Sequence, residues 1–197
     1  TSLPRKELLK SDEVFEGARL RVYITKVDMT TKGPKVFVSR TDKNLVKRLI
    51  EQVCPEIQDG TVEIMGIARD PGERCKIAVY SHDENVEAIG AVVGYKGSRI
   101  QEVLESLQGE KIDIFEWSSK PIDLIVNALT PAKILAVNPN LKKKEAIVVV
   151  LDKDLTAAIG AKGQNAKLAS HATGWKIDIV SLTDAKEKGI RYRRLES

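Results

Sequence analysis

Val93-Gly94-Tyr95-Lys96-Gly97-Ser98-Arg99-Ile100 and Ile159-Gly160-Ala161-Lys162-Gly163-Gln164-Asn165-Ala166 are the two stretches whose reading decides the fold. Each holds the same four-residue loop, G-x-K-G. Aliphatic residues lead in (Ala91, Val92, Val93; Ala157, Ala158, Ile159) and a helical spacing leads out (Ile100, Val103, Leu104, Leu107; Ala166, Leu168, Ala169). Each loop is therefore predicted at the N-terminus of a helix. Paired glycines let the chain turn tightly and let a ligand approach the backbone without a Cβ in the way. The following helix offers unpaired N–H groups and the positive end of its dipole. An anionic backbone suits such a place, with Lys96 or Lys162 beside it.

Working outward, Gly109-Glu110-Lys111-Ile112-Asp113-Ile114 is answered by Gly174-Trp175-Lys176-Ile177-Asp178-Ile179. The loops are offset by 66 residues and the Lys-Ile-Asp-Ile strands by 65, so one structural unit recurs. One GxxG is weak evidence; two, each followed at matched distance by the same short strand, are not chance.

Residues 93–100 resemble the I-G-x-x-G-x-x-I signature of KH RNA-binding domains, and residues 159–166 resemble it with Ala166 in place of the last aliphatic residue. The tandem pair is similar to that of a family of bacterial transcription elongation and termination factors, over nearly the whole chain. This resemblance implies that Gly94, Tyr95, Lys96, Gly97, Ser98, Arg99 and Ile100, and Gly160, Ala161, Lys162, Gly163, Gln164 and Asn165, bind RNA. Loops of this kind clamp a short run of backbone nucleotides and leave the bases to an adjacent apolar groove. Val93, Ile100, Ile159 and Leu168 are groove candidates by the same resemblance, and equally residues of an ordinary core.

The remaining elements fit. Leu20, Val22, Ile24 and Val27 recur with a largely period-two pattern, Lys32-Gly33-Pro34 interrupts, and Val36-Phe37-Val38 resumes, which predicts a β-hairpin. By the resemblance, residues 1–41 are the end of an OB-fold RNA-binding domain, with Phe37-Val-Ser-Arg-Thr41 its closing strand and the first half upstream. A chain starting at Thr1 without an initiator Met fits a fragment. Thr41 or Asp42 caps a helix through Leu45, Leu49, Ile50 and Val53 that stops near Pro55. Strands at 61–68 and 75–80 follow, then a helix over 85–92, the loop, a helix over 98–107 and a strand over 111–115. Residues 121–179 repeat this α-β-β-α-α-β order, with strands near 133–137 and 146–151. Residues 186–194 read as a flexible basic tail. The expectation is an α+β protein: a partial OB-fold segment (1–41) and two tandem KH domains of the bacterial type, or type II (42–118 and 119–197). Trp117, before Ser118-Ser119-Lys120-Pro121, is expected to pack where one unit meets the next and hold the loops in fixed relation for one RNA strand.

Charge and composition narrow the function. Residues 1–41 carry nine Lys or Arg against five Asp or Glu, residues 42–118 nine against fifteen, and residues 119–197 fourteen against eight. The last segment has a general attraction for phosphate; the middle one depends on where Lys96 and Arg99 sit. The two cysteines, Cys54 and Cys75, lie far apart, and His82 and His171 are isolated, so neither a metal nor a cofactor is expected. Walker A and dinucleotide fingerprints are absent from the sequence. A helix-hairpin-helix DNA module, also suggested by Ile159-Gly-Ala-Lys-Gly, is all-helical, whereas both copies here carry three strand patterns. No apolar run approaches a membrane span and no signal-peptide pattern opens the chain, so a cytoplasmic setting without a membrane is expected.

The sequence therefore predicts a non-enzymatic single-stranded RNA binder acting in transcription pausing, termination and antitermination. RNA polymerase would be contacted by the parent protein's preceding region. The alternative is a ribosome-associated KH protein docking on rRNA.

Overall fold

Alternation in the first forty residues yields an antiparallel hairpin, β1 (Tyr23–Thr30) and β2 (Gly33–Ser39), turned at Gly33 with φ +102°. The computed structural model describes residues 1–195. Helix α1 (Lys43–Val53) follows, and its N-cap Asp42 accepts a hydrogen bond from the Asn44 amide at 2.8 Å. Pro55 ends α1 and opens the single turn α2 (Pro55–Gln58), an element the sequence did not announce. Then come β3 (Val62–Asp70), β4 (Arg74–Ser81), α3 (Ala88–Val93), α4 (Ser98–Ser106) and β5 (Lys111–Glu116). The second pass is α5 (Pro121–Leu129), β6 (Ala136–Asn140), β7 (Glu145–Val150), α6 (Leu155–Ile159), α7 (Gln164–Thr173) and β8 (Lys176–Ser181), with α8 (Leu182–Glu187) added at the end. Both passes have the expected α-β-β-α-α-β order, with sheets ordered β3-β4-β5 and β6-β7-β8. In the second sheet β6 pairs antiparallel and β8 parallel with β7.

Contacts gather the chain into two units. The first comprises Thr1–Ile64, Arg69–Cys75 and Ser81–Ile112; the second comprises Met65–Ala68, Lys76–Tyr80 and the chain from Asp113 on. In the first unit the apolar face of α1 (Leu45, Val46, Leu49, Ile50) is buried, as are Val92, Val103 and Leu107. Two buried ion pairs accompany them. Arg40 grips Asp12 through Nε and Nη2, at 2.7 Å for the shortest contact, and donates to the carbonyls of Arg21 and Ser106. Arg69 holds Glu110 with two parallel bonds of 2.7 and 2.8 Å and donates to the Asp42 carbonyl. A charge taken from water needs a partner and further hydrogen bonds, and both arginines have them.

In the second unit one continuous core joins Ala68, Ala78 and Phe115 to Leu124, Ile125, Leu129, Val148, Leu168, Ala169 and Trp175. Trp117 packs against this core and meets Tyr80 edge to face, with ring centroids 5.6 Å apart. Helix α7 lies so close to β3 that a Cβ on Gly66 would sit 2.1 Å from the Ala172 carbonyl oxygen.

Three sequence expectations need correction. The strand placed near 133–137 begins at Ala136 and runs to Asn140, because pairing of β6 continues through Pro139, which the outer strand of a sheet tolerates. The helix placed over 85–92 starts at Ala88, where the Glu87 carboxylate accepts from the Gly90 amide at 2.6 Å. The basic tail of 186–194 is a packed element. It leaves α8, and Ile190 and Tyr192 pack against Ala136, Val149, Val180 and Ala185 before the Leu195 amide donates to the Leu135 carbonyl. Ser181-Leu-Thr-Asp184 is a capping sequence, and the Ser181 hydroxyl accepts from the Asp184 amide at 3.0 Å.

Candidate functional site

Both G-x-K-G segments fold into the same backbone. The first glycine, Gly94 or Gly160, closes the preceding helix at φ +76° or +79° with ψ near 170°, a region open essentially to glycine alone. Its amide still bonds back into that helix, Gly94 to the Gly90 carbonyl and Gly160 to the Thr156 carbonyl, each at 2.9 Å. The lysine follows in the left-handed region, Lys96 at φ 49° and Lys162 at φ 54°. Non-glycine residues are uncommon there. The second glycine, Gly97 or Gly163, is also left-handed and serves as the N-cap of α4 or α7, with no side chain capping the helix.

The glycines do different work. A Cβ on Gly94 would meet the Arg99 side chain at 2.6 Å, and one on Gly160 would meet the Asn165 amide nitrogen at 2.8 Å. A Cβ on Gly97 or Gly163 would meet nothing within 4 Å. The first glycine serves the fold; the second fronts open space beside an uncapped helix N-terminus.

Tyr95, Lys96 and Ser98 are exposed around the first loop, and Ala161 and Lys162 around the second. Tyr95 is 81% exposed, with the Lys96 Nζ 5.4 Å from its ring centroid. Ile100 and Gln164 are partly exposed. Two predicted residues are engaged by hydrogen bonds within the fold. The Arg99 Nη1 donates to Glu56 Oε2 at 2.7 Å and to the Ala91 carbonyl at 2.6 Å. Asn165 is 4% exposed, and its Nδ2 donates to the Ala158 carbonyl at 2.8 Å and the Leu129 carbonyl at 3.2 Å. Of the groove candidates, Leu168 is a core residue at 3% exposure, while Val93, Ile100 and Ile159 keep partial exposure.

Glu56 is the participant that sequence reasoning missed. It stands in α2, far along the chain from the loop, and no local signal ties it to Arg99. Its carboxyl is held below the usual carboxylate range by backbone hydrogen bonding and by Arg99 and Cys54, against the opposing effect of burial. The neighbouring Cys54 thiol is pushed up by burial. Among the described residues no helix is long and apolar enough to cross a membrane.

Comparison with known proteins agrees with this architecture. A model of NusA-like first KH domains matches residues 40–117, and a model of NusA-like second KH domains matches residues 121–187. The Bacillus subtilis transcription termination/antitermination protein NusA is 50% identical over 194 residues, which are 98% of this chain and 52% of that protein. The Thermus thermophilus protein of the same name is 46% identical over 175 residues, 89% of this chain and 45% of its own length. The chain thus spans about half the length of the curated relatives it matches. The solved structure of APE1850 shares the fold, with a TM-score of 0.51 at 23% identity, covering 70% of this chain and 97% of that one.

Proposed function

The chain belongs to the NusA family and carries that family's two successive KH domains, and from this premise we propose that it binds single-stranded RNA through the loops at residues 94–98 and 160–164, with Ile100. The observation that carries the reading is the pair of matched loops. Each sets an exposed lysine in the left-handed region beside a helix N-terminus that no side chain caps, with open space over the second glycine. Phosphate oxygens complement such a surface through both N–H groups and lysine charge. Gly94, Tyr95, Lys96, Gly97, Ser98 and Ile100, with Gly160, Ala161, Lys162, Gly163 and Gln164, form the proposed contact surface. Arg99 and Asn165 support it from behind.

The relatives' names carry the reading further, to a transcription factor acting in termination and antitermination. In this proposal the RNA is a nascent or leader transcript in the cytoplasm, RNA polymerase is reached through other parts of the parent protein, and the chain works by binding, without catalysis. Residues 1–41 act as the end of an OB-fold domain, and residues 42–118 and 119–197 as the two KH domains. The relatives' names favour this over a ribosome-associated role.

Crosslinking this chain to a random pool of single-stranded RNA, with the crosslinked residues mapped, tests the proposal. Peptides containing Tyr95 and Lys162 are the expected products. A map confined to residues 186–195 would refute it.

A further inference from the structure

Arg99 and Asn165 occupy the same place in the repeat, two residues beyond the second glycine, and share nothing chemically except a side-chain N–H donor. Each spends that donor alike. Arg99 reaches back to the Ala91 carbonyl in the last turn of α3, and Asn165 reaches back to the Ala158 carbonyl in the last turn of α6. Carbonyls at a helix C-terminus have no partner within their own helix. In both copies a side chain from the helix that leaves the loop caps the helix that enters it, so the loop is closed at its base. The same residue lies against the first glycine: a Cβ on Gly94 would meet the Arg99 side chain at 2.6 Å, and one on Gly160 the Asn165 backbone nitrogen at 2.8 Å and its Cβ at 2.9 Å.

We propose that Arg99, anchored by Glu56, and Asn165 are positioning residues that fix the two loops in the conformation that receives RNA, without touching RNA themselves. This rests on the RNA-binding reading above and adds to it a residue outside both loops. The braces differ in kind. Asn165 is neutral, buried and held by two carbonyls. Arg99 is charged and part-exposed, and its direction depends on Glu56: the pair's side chains are 29% and 30% exposed. Without Glu56 the guanidinium keeps, among the described residues, the Ala91 carbonyl and a long 4.0 Å contact to the Cys54 sulfur to hold it against the pull of water. The loop then samples more conformations, and binding must supply the cost of ordering them.

This makes a prediction opposite in sign to simple electrostatics. Removing the Glu56 carboxylate makes the protein more positive and frees a guanidinium, which by charge alone would tighten RNA binding. Positioning predicts weaker binding. The experiment uses the full chain carrying Gly163→Asp, so that the first loop is read by itself, and titrates a single-stranded RNA into this background, into Glu56→Ala, into Arg99→Met and into the pair together. Arg99→Met keeps the aliphatic stem that covers Gly94. Glu56→Ala is expected to weaken binding about threefold to fivefold, the weight of a part-exposed ion pair. The double variant should lose no more than Arg99→Met does by itself. In the free protein the amide resonances of residues 95–98 should shift in Glu56→Ala while the thermal midpoint stays close to that of the background, a signature that general destabilisation would not give. Affinity that is unchanged or higher in Glu56→Ala overturns the proposal and leaves the RNA reading standing, and it decides the matter even where Arg99→Met fails to fold. A Gly163→Asp background that is folded but binds no RNA refutes RNA binding at the first loop, and the positioning role falls with it.

Discussion

Gly94 and Gly97 look interchangeable in the sequence, yet they are separated by what a Cβ would meet. Gly160→Ala forces a Cβ onto the Asn165 backbone in a region of φ and ψ that only glycine occupies freely, and should cost about 3 kcal/mol or more. Gly163→Ala adds its Cβ into open space and meets only left-handed strain, about 1 to 2 kcal/mol. Denaturant unfolding of the two variants checks the order; equal losses would contradict it. Lys162→Ala should weaken all single-stranded RNAs alike and reduce the salt slope by about 0.7, the loss of one neutralised phosphate. A loss that varied widely among RNA sequences would show that Lys162 reads bases. The loop glycines and lysines were legible from their repetition. The burial of Asn165 and Leu168 was not, because in Gln-Asn-Ala-Lys-Leu-Ala the polar and apolar residues do not reveal which positions on α7 face the core. Only the shared position of Arg99 and Asn165 in the repeat hinted that both brace the loop.

At the scale of elements, the residues before α1 are tied down by an ion pair and hydrogen bonds as well as by the buried Leu9 and Val38. Burial by itself would raise the Asp12 carboxyl, but hydrogen bonds from Arg40 and the Leu9 amide, with the Arg40 charge, hold it below its ordinary value. Glu7 is held low by the hydroxyls of Ser39 and Thr41. A carboxyl depressed in the folded state contributes stability at pH values above its unfolded pKa. That stability is lost as pH falls through the folded value. Thermal midpoints should therefore fall on acidification below about pH 4, and Asp12→Asn together with Glu7→Gln should flatten that dependence while lowering stability at neutral pH. Removing one partner of the buried pair, as in Asp12→Ala, should cost about 3 to 5 kcal/mol, since it strands Arg40 in the interior. The elements of both repeats were legible because strand alternation, helix caps and glycine punctuation agreed. Helix α8 was missed because its cap, Ser181, is also the last residue of β8, so the strand pattern concealed the start of a helix. The buried ion pairs were invisible for a different reason: Asp12 and Arg40 stand 28 residues apart, and no local pattern marks a partner at that distance.

On the scale of the whole molecule the claim is that an unevenly charged chain binds RNA where its loops lie, not wherever it is basic. The segment 42–118 has fifteen acidic residues against nine basic ones, so its loop must succeed by local geometry, while 119–197, with fourteen basic against eight acidic, has long-range attraction as well. Gly163→Asp should accordingly be the more damaging of the two loop lesions. Single-stranded RNA should outcompete a duplex of equal length, because KH grooves take splayed bases; equal competition would indicate a generic basic surface. The family and the doubled unit were readable from 93–100 and 159–166 together with the two Lys-Ile-Asp-Ile strands. How packing distributes β3, β4 and β5 between two units was not, because a strand's alternation reports that a face is buried and not which element covers it. The most direct test is an RNA titration of the chain carrying both Gly97→Asp and Gly163→Asp, with circular dichroism to confirm the fold. Each aspartate enters open space at a helix N-terminus, so the fold should persist while a carboxylate occupies the place of a phosphate. The account predicts a folded protein that has lost most of its affinity for single-stranded RNA; a folded double variant that binds like the parent would contradict it.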